Sequence, residues 1–164
     1  MKPIIAALAL LAATPAMAQQ DSFEFRGEHT TDAINLAGRS GCSPSTEIPE
    51  TVYCSLSTEL AGINSVIFTT SYYQGKFNGL SGITDGDNYL TLLRAFTAKY
   101  GVPVMRQTEW RNRAGAVLPN QTATWKFTDG ELVLSELGSR VNQSSFDFNA
   151  TVNQPPARDA KVDF

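Results

Sequence analysis

Apolar and polar positions alternate along one segment near the middle of the chain. Every second residue lies on one predicted face, which carries Val66, Phe68, Thr70 and Tyr72. Gln74-Gly75 supplies a turn, and residues 76–80 return beside the first segment. The pattern therefore predicts a β-hairpin.

A helical period replaces this alternation further along the chain. The apolar positions recur at intervals of three and four residues, at Tyr89, Leu92, Leu93, Phe96 and Tyr100. We expect the carboxylate of Asp85 or Asp87 to accept hydrogen bonds from the first backbone N–H groups. Gly101 and Pro103 are residue types that end a helix. We predict a helix from Asp87 to Lys99.

Shorter alternating segments on both sides of this helix predict strands. By residue number they are 22–26, 52–56, 104–110, 123–127, 131–135 and 145–150. Asp129-Gly130 is a type I′ signal and predicts the turn of another hairpin. A second, short helix is predicted to begin at Thr30 or Thr31 and to end near Gly41.

These elements form two similar successions, each a helix followed by an antiparallel meander. The units cover about 22–84 and 85–152. The predicted fold class is α+β, in which the two helix-plus-antiparallel-meander units form a curved sheet with both helices on one face.

The second unit carries a set of landmarks that we recognise. They are residues 92–96, Tyr100-Gly101-Val102-Pro103, Trp110, and residues 125–132. This set resembles the SmpA/OmlA family of small envelope proteins, although the lipid-anchoring Cys of the assembly lipoproteins is missing. The doubled layout is similar to that of the β-lactamase inhibitory proteins. Both families bind proteins, so the resemblance implies a binding module and transfers no catalytic residue.

The start of the chain predicts export. Lys2 gives a basic start, residues 4–13 form an apolar run too short to span a bilayer, and Ala16-Met17-Ala18 matches a cleavage site. We predict a Sec-type signal peptide cleaved near Ala18–Gln19, and a periplasmic or secreted product. The predicted divisions are a signal peptide at 1–18, a single domain at 19–152 and a loose C-terminal tail at 153–164.

Two cysteines, Cys42 and Cys54, flank a turn-rich segment. In an oxidising compartment this pair predicts one disulfide, which contributes about 3 kcal/mol for a loop of this size. The alternative of a redox or metal pair lacks a CxxC motif and nearby histidines. A formal net charge of −3 argues against nucleic acid or an anionic membrane as the partner.

The chain carries no recognisable catalytic motif. His29 is the single histidine, and no G-x-S-x-G segment is present. Asp85-Gly86-Asp87 has only part of a calcium-loop pattern, and helix capping explains the same residues. We therefore predict a protein that is not an enzyme, with no cofactor and no metal. Carboxylates at Glu59, Glu109, Glu131 and Glu136 leave open a hydrolase acting on polysaccharide or peptide.

Aromatic and arginine side chains near the predicted hairpin ends are the candidate binding residues. They are Tyr72, Tyr73, Trp110, Arg111 and Arg113. Adjacent strand residues face opposite sides, so only one of the two tyrosines can lie on a given face. The predicted function is recognition or inhibition of an envelope or extracellular protein through the free face of the sheet. A small-molecule or lipid carrier is a further alternative, which requires an apolar pocket in place of a filled core.

Overall fold

Strands dominate the computed structural model, which describes residues 21–112 and 115–156. The predicted signal peptide at 1–18, the tail residues 157–164 and the candidate binding residue Arg113 lie outside these described residues. In chain order the elements are β1 (Glu24–Phe25), β2 (Glu28–His29), β3 (Cys42–Pro44), β4 (Thr51–Leu60), β5 (Ile63–Tyr73), β6 (Lys76–Asp85), a 3₁₀ turn (Gly86–Asn88), α1 (Tyr89–Tyr100), β7 (Val104–Arg111), β8 (Val117–Phe127), β9 (Gly130–Ser135) and β10 (Gln143–Ala150).

Eight of these strands form one antiparallel sheet in the order β3-β4-β5-β6-β10-β9-β8-β7. Strands β6 and β10 meet at its centre, with paired residues from Gln143 opposite Asp85 to Asn149 opposite Gly79. The sheet therefore has a first half, β3 to β6, and a second half, β7 to β10. Strands β1 and β2 form a separate hairpin.

Helix α1 packs on one face of the second half. Its buried side chains are Tyr89, Leu92, Phe96 and Tyr100. The ring of Phe96 lies 5.8 Å from that of Trp125 and 5.5 Å from that of Phe146, measured between centroids. Gly101 follows with a positive φ of 76°, which ends the helix as the sequence predicted.

The segment before β1 also packs on this face. Phe23 is fully buried, and its ring stacks on Phe148 with centroids 3.8 Å apart. The carboxylate of Asp129 accepts hydrogen bonds from the backbone N–H of Phe23, at 2.9 Å, and from the hydroxyl of Thr30. Asn153, in the predicted tail, donates to the carbonyl of Thr30 at 2.6 Å. The N-terminal segment is thus fastened to the second half of the sheet.

The predicted α+β class is wrong, because the fold is mostly β and the described residues contain a single α-helix. The short helix expected from Thr30 to Gly41 does not form. Ala33 bridges to Lys76, and the N–H of Ile34 donates to the carbonyl of Gly75 at 2.8 Å. These long-range hydrogen bonds use backbone groups that a helix would pair locally. The segment therefore lies alongside the β5–β6 turn and does not form a helix.

The two predicted turns differ in outcome. Gln74 and Gly75 have φ values of 51° and 73°, which confirms a turn of the primed type between β5 and β6. The β8–β9 hairpin also forms, but Phe127 pairs directly with Gly130, which places Gly130 in the strand. Asp129 does not take a positive φ, so the predicted type I′ turn there is wrong.

The predicted disulfide is confirmed. Cys42 on β3 lies directly opposite Cys54 on β4, and the two sulfur atoms are bonded. Disulfides of this kind are typical of proteins from oxidising compartments. Among the described residues, no helix has the length and apolar character needed to cross a bilayer.

Candidate functional site

The sheet face opposite α1 carries two rows of mostly short side chains, which we name the open face. Cross-strand pairing aligns the first row as Ser57, Ile67, Ile83, Ser145, Ser135 and Thr122. It aligns the second row as Ser55, Thr69, Ser81, Asp147, Val133 and Thr124. All twelve side chains are exposed or half-buried, whereas most of their neighbours along each strand are buried on the other face, with Leu56 and Gln121 as exposed exceptions.

The centre of the open face is apolar. Ile67 is 53% exposed and lies directly opposite Ile83 on the next strand. Hydroxyl groups surround this pair, and those of Ser55 and Thr69 lie 3.0 Å apart and share a hydrogen bond. Because the side chains in the rows are short, another molecule can approach the sheet closely along most of this face.

The candidate residues Tyr72 and Tyr73 point to opposite faces, as strand alternation requires. Tyr73 is half-buried, on the open-face side of β5. Tyr72 is only 1% exposed, and its ring packs against Phe77 with centroids 5.9 Å apart. Tyr72 is therefore excluded as an exposed contact at the hairpin end, because its phenol ring belongs to the core.

The phenol edge of Tyr72 lines a groove between the β1–β2 hairpin and the first half of the sheet, which we name the hairpin groove. Its volume is about 260 Å³. Its apolar wall contains Phe25, Leu56 and Phe68, and its polar lining contains Arg26, Glu28, Arg39 and Tyr72. Leu56 remains 40% exposed there.

Three polar groups of the hairpin groove are mutually hydrogen-bonded. The Tyr72 hydroxyl donates to Glu28 at 2.6 Å and accepts from Arg39 at 3.0 Å. A second guanidinium nitrogen of Arg39 lies 2.6 Å from the other oxygen of Glu28. Burial raises the pKa of Tyr72 to about 12, and the hydrogen bond to Glu28 acts in the same direction because it favours the neutral phenol. The phenol therefore stays a donor at neutral pH.

Trp110 and Arg111 lie together at the far edge of the second half. The indole N–H of Trp110 donates to the carbonyl of Gly138 at 2.7 Å, which holds the half-buried ring against the loop before β10. Arg111 is exposed, with its guanidinium 3.6 Å from Glu109. An open depression of about 690 Å³ brings both side chains beside Arg140. Arg140 was not a candidate in the sequence, since no local pattern relates it to β7.

An acidic pocket of about 410 Å³ lies near the start of α1, lined by Asp85, Asp87 and Glu136. The predicted capping role is wrong for Asp85, whose side chain makes no capping hydrogen bond at the 3₁₀ turn. Within 21–112 and 115–156, no group of three or more His, Cys, Asp or Glu residues is arranged to hold a metal ion. The other carboxylates considered for hydrolysis, Glu59, Glu109 and Glu131, occupy exposed positions on β4, β7 and β9.

The fold and these surfaces define a disulfide-bonded, mostly β protein built on one antiparallel sheet. Comparison of the chain with protein-family models, curated proteins and solved structures found no match. The resemblance to the SmpA/OmlA family therefore rests on the sequence landmarks of the second unit and remains a prediction. The likeness to the β-lactamase inhibitory proteins rested on two helix-plus-meander units, and the described residues do not form two such units.

Proposed function

We propose that this protein is an exported recognition module that binds an envelope or extracellular protein through the open face. The observation that carries the proposal is the exposure of Ile67, at 53%, next to Ile83 near the centre of a wide sheet face made mostly of short polar side chains. Protein interfaces commonly place an apolar centre inside a polar rim that supplies hydrogen bonds.

The free energy gained by burying Ile67 favours a partner at this position. Complete burial of an aliphatic side chain stabilises a complex by about 1.5–3 kcal/mol, and Ile67 has half of its surface available. Ile83 extends the apolar area, and the hydroxyls of Ser81 and Ser55 offer donors and acceptors near it. A polar sheet face needs no partner to be stable in water, so the exposed isoleucine pair is the feature that supports a partner here.

Two further features support the proposal. The sequence predicts a signal peptide, and the Cys42–Cys54 disulfide suits the oxidising compartment to which such a peptide leads. The landmarks of the second half resemble the SmpA/OmlA family, whose members bind proteins.

The test compares one substitution on two faces of the protein. Ile67→Arg places a charge at the centre of the open face, while Leu90→Arg places it on α1, where the leucine is 57% exposed. The mature protein and both variants are immobilised and exposed to an envelope extract, and any retained protein is purified and titrated directly. We expect one stoichiometric partner, whose affinity falls at least tenfold with Ile67→Arg and is unchanged with Leu90→Arg.

Either of two results would overturn the proposal. One is the absence of any stoichiometric partner when the bait is folded. The other is a partner whose affinity is the same for Ile67→Arg as for the wild type. Circular dichroism of each variant establishes that the bait is folded.

A further inference from the structure

We propose that the hairpin groove binds a small organic anion, a carboxylate attached to an aliphatic or aromatic body. This site lies on the opposite side of the sheet from the open face, so it does not depend on the proposed function. The inference rests on the size of the groove, its apolar wall and its excess positive charge.

The groove is open because the first half of the sheet has no helix over it. Phe25 and Phe68 pack edge to face with centroids 5.3 Å apart and form a buried floor. Leu56 completes the wall and keeps 40% of its surface exposed in the groove. A groove of about 260 Å³ is slightly smaller than the usual range for small-molecule sites, so the ligand is a small molecule.

The charges at the groove favour an anion. Arg26 and Arg39 supply two positive charges, and Glu28 supplies one negative charge. Glu28 is bonded to Arg39, whereas Arg26 has no carboxylate within salt-bridge distance among residues 21–112 and 115–156. The groove therefore carries a net positive charge on a chain whose formal net charge is −3. A carboxylate is the small anionic group that a guanidinium binds most readily besides phosphate.

Arg26 is presented at the groove by a tight turn. Arg26 and Gly27 have φ values of 54° and 82°, the geometry of a two-residue turn of the primed type between β1 and β2. Its guanidinium carbon lies 5.7 Å from the ring centroid of Phe68. The positive charge is thus held directly beside the apolar floor, where a ligand with an acidic head and an apolar body can contact both.

Two side-chain hydrogen bonds hold Arg39 in place. Tyr72 and Glu28 each bond to a different terminal nitrogen of its guanidinium. A guanidinium has five N–H donors, so this arrangement fixes the orientation of Arg39 while leaving donors for a ligand. Glu28 and Tyr72 therefore act as positioning residues for Arg39.

The test uses octanoate, which has the predicted size and charge, and octanol as a neutral control of equal chain length. Binding is followed by calorimetry and by amide chemical-shift changes in the full mature protein. We expect octanoate to bind with 1:1 stoichiometry, to shift amides of β1, β2 and the middle of β4, and to bind about tenfold more tightly than octanol, the size of one charge-assisted contact.

Matched variants locate the site. Arg26→Gln removes the charge of an exposed turn residue and is expected to weaken octanoate binding about tenfold, an effect of the size of one charge-assisted contact. Arg94→Gln makes the same change on the exposed side of α1 and is expected to leave binding unchanged. Leu56→Glu places a carboxylate in the groove and is expected to abolish binding, and its melting temperature is measured to establish folding.

Three outcomes would overturn this inference. They are the absence of saturable octanoate binding to the wild type, equal affinities for octanoate and octanol, and equal affinities of the Arg26→Gln and Arg94→Gln proteins. Because Arg26 is exposed in a turn, its variant keeps the test decisive even if Leu56→Glu fails to fold.

Discussion

One face of the sheet is covered by different elements in its two halves. In the second half, α1 lays a stripe of large side chains over Trp125, Phe146 and their neighbours, and the core is filled. In the first half, a hairpin of two-residue strands and the segment after it take the place of a helix. The result is a groove with a partly exposed Leu56 and a buried phenol bonded to charged residues.

This difference separates a filled part from an open part on one face of the sheet. A helix offers an apolar side chain at every turn, so it closes a sheet face efficiently. A short hairpin offers few apolar side chains, so polar groups complete the cover and hydrogen bonds must satisfy them. The second half therefore has a filled core beneath α1, and the first half keeps an open groove in addition to its own buried side chains.

The largest loss of stability is expected from substitution of Phe23, because this residue contacts both halves of the sheet. Phe23 stacks on Phe148 from β10 and also contacts Phe77 from β6, with centroids 6.1 Å apart. Phe23→Ala is expected to lower the free energy of unfolding by about 3–5 kcal/mol, because it removes a fully buried ring and leaves a cavity. Urea denaturation measures this value. A loss below about 1 kcal/mol would show that the N-terminal segment is not an integral part of the core.

The same substitution at two leucines compares the halves directly. Leu92 on α1 is fully buried, and Leu56 in the hairpin groove is 40% exposed. We expect Leu92→Ala to cost about 2–5 kcal/mol and Leu56→Ala about 1 kcal/mol or less. Denaturant unfolding of both variants under one set of conditions provides the measurement. Equal losses would contradict the distinction between a filled and an open half.

The disulfide is expected to stabilise the first half. Cys42→Ser combined with Cys54→Ser removes the link between β3 and β4 and should lower the free energy of unfolding by about 3 kcal/mol. Thermal unfolding of the oxidised wild type and the double variant measures the difference. Amides that exchange only through global unfolding, such as those in the core of β8 and β9, should speed up by the factor that corresponds to this loss. Because β3 lies at the edge of the sheet, amides of β3 and β4 should speed up further through local opening. Uniform acceleration across the sheet would contradict this local role.

The polar cover of the hairpin groove is expected to contribute less to stability than the disulfide. Tyr72→Phe removes one hydroxyl that bonds to Glu28 and Arg39, and should cost about 1–2 kcal/mol at neutral pH. The pKa of Tyr72 is raised to about 12 in the folded protein, against an ordinary value of 10.0. The contribution of the Tyr72 hydroxyl to the free energy of unfolding is therefore fully present below pH 10 and is lost as the pH rises toward 12.

The control for this prediction is a comparison of how the stability of the wild type and of Tyr72→Phe depends on pH. Burial also raises the pKa of Tyr100, so the wild type and Tyr72→Phe both lose stability at high pH. The variant should lose less than the wild type between pH 10 and 12. Denaturation series at increasing pH compare the two proteins, and parallel curves would show that Tyr72 does not contribute through its protonated form.

Local patterns predicted the second half well. The apolar stripe from Tyr89 to Tyr100 includes every buried side chain of α1, because one regular helix presents all of them to the sheet. The strands after it lie where the alternation indicated, although β8 begins earlier, at Val117. Hydrophobic periodicity is sufficient where an element is long and packs through a single face.

In the first half, alternation predicted the β5–β6 hairpin, but the segment that covers it depends on contacts that no local pattern encodes. Residues 30–41 have helix-compatible spacing, but Thr30 bonds to Asp129 and Ile34 bonds to Gly75, both distant in sequence. The hairpin groove was missed for the same reason, since Glu28, Arg39 and Tyr72 come from three separate segments. Alternation predicted that Tyr72 and Tyr73 face opposite sides, and the sheet order was needed to assign which side is buried.

The most direct test of the central claim is the footprint of the bound partner on the sheet. Amide chemical shifts of the labelled mature protein are measured with and without the partner retained from the envelope extract. Recognition through the open face predicts the largest changes at Ile67, Ser81, Asp147 and Val133, with little change along α1. Changes concentrated on α1 or in the hairpin groove, with the two rows unaffected, would contradict the account.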